Sequence, residues 1–282
     1  MAVYDIQSDS SEDLPNEFYN NLMDKYNITK DWILVSTPYP TIAILLVYLF
    51  FVLKLGPDFM KHRRPYELKT VMRIYNIIQV LYNGYLIHAV FEHPSGIPSV
   101  IANTCVLKDD EKYDELKHAF LFYTWHFLVL KIVDLMDTVF MVFRKKDSHI
   151  TFLHLYHHVA MVFFTWFTFS YIKPHHGVIP AAINVLVHTI MYSYYFLATF
   201  AQLKRYLWWK KHLTKIQLGQ FVIILLYISV LYYNGCPISK AFSYIWMFNV
   251  FVIFLLFVNF YIKAYIVKSS KSRRQKLYDK LS

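Results

Sequence analysis

Three histidines set in a run of apolar side chains are the residues best placed to do chemistry. His154, His157 and His158 form an HxxHH box inside the segment 150–172. On an α-helix these positions stand at i, i+3 and i+4, so the three imidazoles share one face. Rings grouped in this way can serve as bases, as acyl acceptors or as metal ligands. Burying them in a membrane-length helix is costly unless they have partners or work to perform. A purely structural reading, with each ring satisfied by a neighbouring helix, suits one histidine better than three.

Other polar groups recur in segments that are otherwise apolar. Lys131, Asp134 and Asp137 stand at i, i+3 and i+6, followed by Thr138, on one broad helical face. A lysine with two aspartates can neutralise itself, so a structural ion pair is the bland reading there. Asn184, His188, Met191, Tyr192 and Tyr195 form a second stripe at helical spacing. Tyrosine and methionine so spaced usually pack, but a histidine and an asparagine in the same stripe favour a site. Gln217 and Gln220 form a third pair, which could equally be solvated near a helix end.

The elements that must position these groups follow from composition. The chain has 282 residues, 56% hydrophobic, 19% aromatic and 17% charged, which is too apolar for an ordinary soluble domain. Apolar runs of about 20 residues recur, the length that crosses a bilayer as a helix. The fold class expected is all-α, a polytopic membrane protein. Seven transmembrane helices can be read, near 39–55, 69–91, 117–143, 149–172, 177–203, 213–233 and 241–267. They would enclose a buried site, since ionisable groups within spans should face the bundle interior. Residues 1–37 are polar and lack the basic start and apolar core of a cleavable signal.

Loop charge sets the orientation. Most of the 29 basic residues fall after the first, third, fifth and seventh spans, which places the C-terminus in the cytosol and the N-terminus in the lumen. The sequon at Asn27 fits a lumenal N-terminal tail. Cys105 and Cys236 then share the lumenal side, where an oxidising compartment favours a disulfide over two free thiols. Neither lies near the histidine box, which argues against a thiolate nucleophile. At ~1.5 Å per residue, the polar stripes of four helices overlap in depth on the cytosolic side. One site, shared by four helices, is the simplest explanation.

Four segments carry a resemblance in order and spacing: KIVDLMDTVF at 131–140, HLYHH at 154–158, HTIMYSYY at 188–195 and LTKIQLGQF at 213–221. With them the chain resembles the ELO family of very-long-chain fatty acid elongases over residues 30–268. The family usually has Glu where this chain has Asp134, and often Gln where it has His149. The shorter acid keeps its charge but withdraws it by one methylene.

The resemblance implies a lumenal tail at 1–37, a seven-helix elongase domain at 38–268 with an aromatic-lined acyl tunnel, and a basic cytosolic tail at 269–282. It also implies an enzyme of the endoplasmic reticulum membrane. The reaction would join a long-chain acyl-CoA and malonyl-CoA into 3-oxoacyl-CoA, releasing CO2 and CoA, with no cofactor and no metal. His157 would take the acyl group as an acyl-imidazole, since desolvation disfavours an imidazolium. Asp137, with Asp134, would orient a histidine by accepting its ring N–H. His188, His158 and Asn184 would face the enolate formed on loss of CO2. Lys131, Met191, Tyr192, Tyr195, Gln217 and Gln220 would line the substrate site. Lys204 and Arg205 would meet the CoA phosphates, although a basic rim also follows from topology alone. The partners implied are the membrane, the two CoA thioesters and the reductases and dehydratase of the same cycle. A homodimer stays open, and no nucleic acid is expected.

Two rivals carry other chemistry. A di-iron membrane desaturase or hydroxylase also uses HxxHH but needs about eight histidine ligands, and here the only other adjacent pair, His175 and His176, is read in a lumenal loop. A seven-helix receptor or transporter would not crowd four polar motifs at one cytosolic depth.

Overall fold

The computed structural model describes residues 29, 32–92, 98, 101–105, 114–171, 175–236, 238 and 240–267. Asn27 and the tail 269–282 lie outside the described residues, as does much of the tail 1–37. The described secondary structure is helical. The long elements are α1 (Tyr39–Met60), α2 (Lys69–Phe91), α3 (Asp114–Asp134), α4 (Met136–Phe143), α5 (Phe152–Tyr171), α6 (His175–Ala198), α7 (Lys210–Tyr233) and α8 (Lys240–Val267). Four of them, α1, α6, α7 and α8, are long and apolar enough to cross a membrane.

Among the remaining long helices, α2 is largely polar on the face it buries. In α2, Asn76, Gln79 and Asn83 are buried, whereas Ile74, Ile78, Leu81 and Tyr85 on other faces are at least half exposed. That is the inverse of a helix on a water-soluble protein. It suits a surrounding of lipid, where the exposed side must be apolar and polar groups must find partners inside.

Two units can be distinguished, one ending at Leu46 and the other beginning at Val47. In the first, the Thr41 hydroxyl donates to the Leu34 carbonyl at 3.1 Å. In the second, helix contacts run in a closed order. The α2 helix packs most heavily on α6, α6 on α7, α7 on α8, α8 on α5, α5 on α3, and α3 returns to α2. Six helices thus form a ring, and α3 also packs directly on α6.

The segment read as one span at 117–143 is two helices. The chain tightens at Leu135 into i→i+3 bonds, Leu135 N–H to Ile132 O and Thr138 N–H to Leu135 O, each 3.2 Å. Asp134 therefore ends α3, while Asp137 lies in the first turn of α4, where the helix dipole favours an acid. The pair His175 and His176 also departs from its expected loop. Both open α6 and are buried, and His176 Nδ1 donates to the Thr104 carbonyl at 2.6 Å.

That contact stands beside a covalent one. Cys105 and Cys236 are joined by a disulfide with Cα atoms 5.1 Å apart. Gly235 makes the join geometrically accessible, because its φ of 66° turns the chain at the end of α7. Cys236 N–H then caps the Leu231 carbonyl at 3.1 Å, the six-to-one bond of a helix-ending glycine turn.

A second glycine governs a close approach. Residues Phe51–Leu55 of α1 form a π-helical turn, and Gly56 N–H bonds the Phe51 carbonyl that closes it. A Cβ on Gly56 would lie 2.7 Å from Val142 Cγ1 on α4 and 2.8 Å from the Phe51 carbonyl oxygen. Gly56→Ala should therefore lower the apparent melting temperature of the detergent-purified protein, at an overpacking cost of about 1–3 kcal/mol. An unchanged melting curve would contradict this contact.

Candidate active site

Lys131, on the last turn of α3, is almost completely enclosed, and its three ammonium protons have three partners. It donates to Asp134 Oδ2 at 2.8 Å and to Asn184 Oδ1 at 2.8 Å, and lies 3.3 Å from His188 Nδ1. Its charge also sits 4.9 Å above the Phe127 ring. A buried charge persists only with this kind of saturation. Lys131 was expected at the substrate. In this structure its donors are committed to protein groups.

Asp134 is the hub. Its Oδ1 accepts from Gln79 Nε2 at 2.7 Å and from the Tyr192 hydroxyl at 2.9 Å, and its Oδ2 lies 3.4 Å from His188 Nδ1. Both oxygens are fully used with the short aspartate arm, because α2 and α6 bring their donors to it. His188 Nδ1 can accept from the ammonium or donate to the carboxylate, one at a time. Tyr192, wholly buried, also reaches Asp137 Oδ2 at 2.9 Å. One phenol proton can serve only one of the two carboxylates at a time.

The histidine box occupies the first two turns of α5. His154 Nε2 lies 2.8 Å from Thr138 Oγ1, and that oxygen lies 2.8 Å from the Tyr48 hydroxyl on α1. His157 faces the ring interior, with Phe257 at 5.7 Å and Phe221 at 6.5 Å between ring centroids. Its Nδ1 is fully enclosed without a hydrogen-bond partner. The His158 ring lies 4.4 Å from that of His154 and 5.7 Å from that of His157. Between these rings Tyr156 turns away and donates to Asn249 Oδ1 on α8 at 2.9 Å, tying the box helix to its neighbour.

Lys131, Asp134, Asp137, Asn184, His188 and Tyr192 thus form one network. His154, His157 and His158 form a second group. The two meet at α4, where Asp137 serves the network and the next residue, Thr138, serves the box. Asp137 was expected to accept a ring N–H. Its observed partner is the Tyr192 hydroxyl, and the carboxylate beside an imidazole is Asp134.

The outer candidates sit differently. Gln217 donates to the sulfur of buried Met191 at 3.4 Å, and Gln220 is buried on the same helix. Tyr195 lies beside Tyr192, with ring centroids 6.0 Å apart, yet is itself 38% exposed. Lys204 and Arg205 are exposed on the 3-10 turn Ala201–Tyr206, away from the hydrogen-bonded network. Among the described residues, no group of three or more His, Cys, Asp or Glu side chains is arranged to hold a metal ion.

Sequence reasoning missed the contribution of α2. Tyr75, Gln79 and Asn83 stand at i, i+4 and i+8, a polar stripe in an apolar helix that spacing alone could have flagged. Gln79 Nε2 donates to the Tyr75 hydroxyl at 3.1 Å, and Asn83 Nδ2 donates to the Gln79 backbone carbonyl at 2.7 Å and to its Oε1 at 3.4 Å, so the stripe braces the side chain that binds Asp134.

Known proteins match this sequence over most of its length. Residues 33–273 match the model of the ELO, GNS1/SUR4, family. The chain is 40% identical over 250 residues to very long chain fatty acid elongase F of Drosophila melanogaster, covering 86% of this chain and 94% of that protein. It is 36% identical over 254 residues to very long chain fatty acid elongase 7 of Rattus norvegicus, covering 88% and 89%. Against very long chain fatty acid elongase 4 of Homo sapiens it is 34% identical over 255 residues, covering 88% and 79%. The order of motifs, the helical frame and these matches lead to one conclusion: the chain belongs to the ELO, GNS1/SUR4, family.

Proposed function

We propose that the protein is a membrane enzyme of fatty acid elongation that carries out the condensing step. Long-chain acyl-CoA and malonyl-CoA give 3-oxoacyl-CoA, CO2 and free CoA. The observation that carries the reading is the state of His157. Among the described residues it makes no hydrogen bond, while His154 and His188 are engaged. An imidazole kept free of protein partners and walled by Phe221 and Phe257 is suited to receive a fatty acyl group.

In the first step a His157 nitrogen attacks the thioester carbonyl. The N–C bond forms, the C–S bond breaks and CoA leaves as the thiol with the proton that the imidazole gives up. In the second, malonyl-CoA loses CO2, its α-carbon attacks the acyl carbon, and the N–C bond to His157 breaks as the freed imidazole takes up one proton from solvent. His188 with Nδ1 accepting from Lys131 carries its proton on Nε2, a donor for the enolate oxygen, with His158 beside the box as the second. The Lys131–Asp134–Tyr192–Asp137 network fixes His188 and need not touch substrate. Orientation by loop charge, seven spans, an acyl tunnel within the helix ring and residence in the endoplasmic reticulum complete the proposal. A reductase and a dehydratase would consume the 3-oxo product. Family membership supports this reading over a di-iron oxygenase.

The covalent route has a direct test. Purified protein given acyl-CoA alone should gain the mass of one acyl group, and His157→Ala should not. An elongation-competent wild type that never carries the adduct would overturn the two-step route.

A further inference from the structure

We infer that Tyr48 and Thr138 are positioning residues for the histidine box, holding His154 in a single tautomer from outside the helix ring. This rests on the condensing function proposed above, whose site it deepens. The observations are a chain of two short buried bonds, Tyr48 hydroxyl to Thr138 Oγ1 and Thr138 Oγ1 to His154 Nε2, each 2.8 Å. Thr138 is wholly buried and Tyr48 is 5% exposed, so water cannot replace either partner without opening the packing.

Hydrogen inventory fixes the direction of the chain. Two hydroxyl protons and one imidazole nitrogen are available, and two bonds must be made. If His154 Nε2–H donated to Thr138, the threonine proton would turn to the Tyr48 oxygen. The buried phenol O–H would then point at nothing. An unsatisfied buried donor costs about 1–3 kcal/mol. In the reverse arrangement Tyr48 donates to Thr138 and Thr138 donates to Nε2, and both hydroxyl protons are used. Nε2 is therefore an acceptor and the ring proton sits on Nδ1.

The packing of α1 is built for this reach. The π turn Phe51–Leu55 lies between Tyr48 and Gly56, and the bare Gly56 lets α1 sit against Val142 of α4. Turns of this kind shift the register of a helix and recur at functional sites. The result is that a phenol outside the ring of six helices sets the orientation of the first histidine, whose ring lies 4.4 Å from His158.

The experiment compares elongation kinetics of Thr138→Val, Thr138→Ser and Tyr48→Phe in purified full-length protein. Valine keeps the shape and removes the hydroxyl, and should lower kcat on the order of tenfold, as loss of orientation does. Serine restores the donor and should return kcat to within about twofold of wild type, with Tyr48→Phe falling between. KM for acyl-CoA and malonyl-CoA should stay near wild type in all three, because the relay does not contact substrate. Wild-type kcat in a folded Thr138→Val or Tyr48→Phe, or a Thr138→Ser as impaired as Thr138→Val, would overturn the inference. Should Thr138→Val fail to fold, Tyr48→Phe alone decides. These variants read total turnover, so a failed relay is distinguishable from a failed covalent route, which the adduct measurement reads on wild type.

Discussion

His157→Ala should abolish chain extension, lowering kcat/KM by a factor of about 10³ or more, while the protein still folds. The side chain makes no hydrogen bond among the described residues, so its removal orphans no buried partner. It only opens a gap beside Phe221 and Phe257, a modest loss in a site that must admit a substrate. Incorporation of radiolabelled malonyl-CoA into longer acyl chains, measured beside the melting curve, separates chemistry from folding. Near-normal incorporation in the variant would end the assignment of His157 as acyl carrier.

The second large effect concerns the ion pair. Lys131→Met leaves Asp134 buried with its cation gone, and breaking a buried pair from one side costs about 3–5 kcal/mol. The double variant Lys131→Met/Asp134→Leu removes both charges and should recover most of that stability, yet stay inactive because His188 loses both neighbours of its Nδ1. Thermal unfolding of the single and double variants gives the coupling between the two sites directly. A double variant no more stable than Lys131→Met would show the pair is not the anchor described here. An active double variant would remove the network from the mechanism.

Legibility in the sequence followed chemical contrast. His154, His157 and His158 stand out because three imidazoles in an apolar run have few innocent explanations. Lys131, Asp134, Asn184, His188 and Tyr192 were placed on shared faces by spacing, and they meet in the structure. The break at Leu135 left no trace, because it is made by shortened backbone bonds with neither glycine nor proline to announce it. Asp137, with Asp134, was assigned to an imidazole by triad logic; Asp134 stands beside His188, and Asp137 meets the Tyr192 hydroxyl. Tyr48 was invisible for another reason: a hydroxyl amid apolar residues is ordinary, and 90 positions separate it from Thr138, which the sequence placed beside Asp137. His175 and His176 were read as a loop since polar side chains resemble a connection until burial is known.

The concealed polarity of α2 and α3 bears on how such a chain is made. A helix carrying Asn76, Gln79 and Asn83, or Lys131 with Asp134 a turn away, is a poor candidate for release into lipid alone. The lysine and aspartate lie close enough to travel as an internally compensated unit, but Gln79 of α2 waits for Asp134 of α3, and the ion pair in turn waits for Asn184, His188 and Tyr192 of α6. Synthesis supplies α6 well after α2, so early helices must linger beside the insertion machinery until the later ones arrive. A nascent chain interrupted before α6 would carry the Lys131–Asp134 pair without the Asn184, His188 and Tyr192 side chains that complete it.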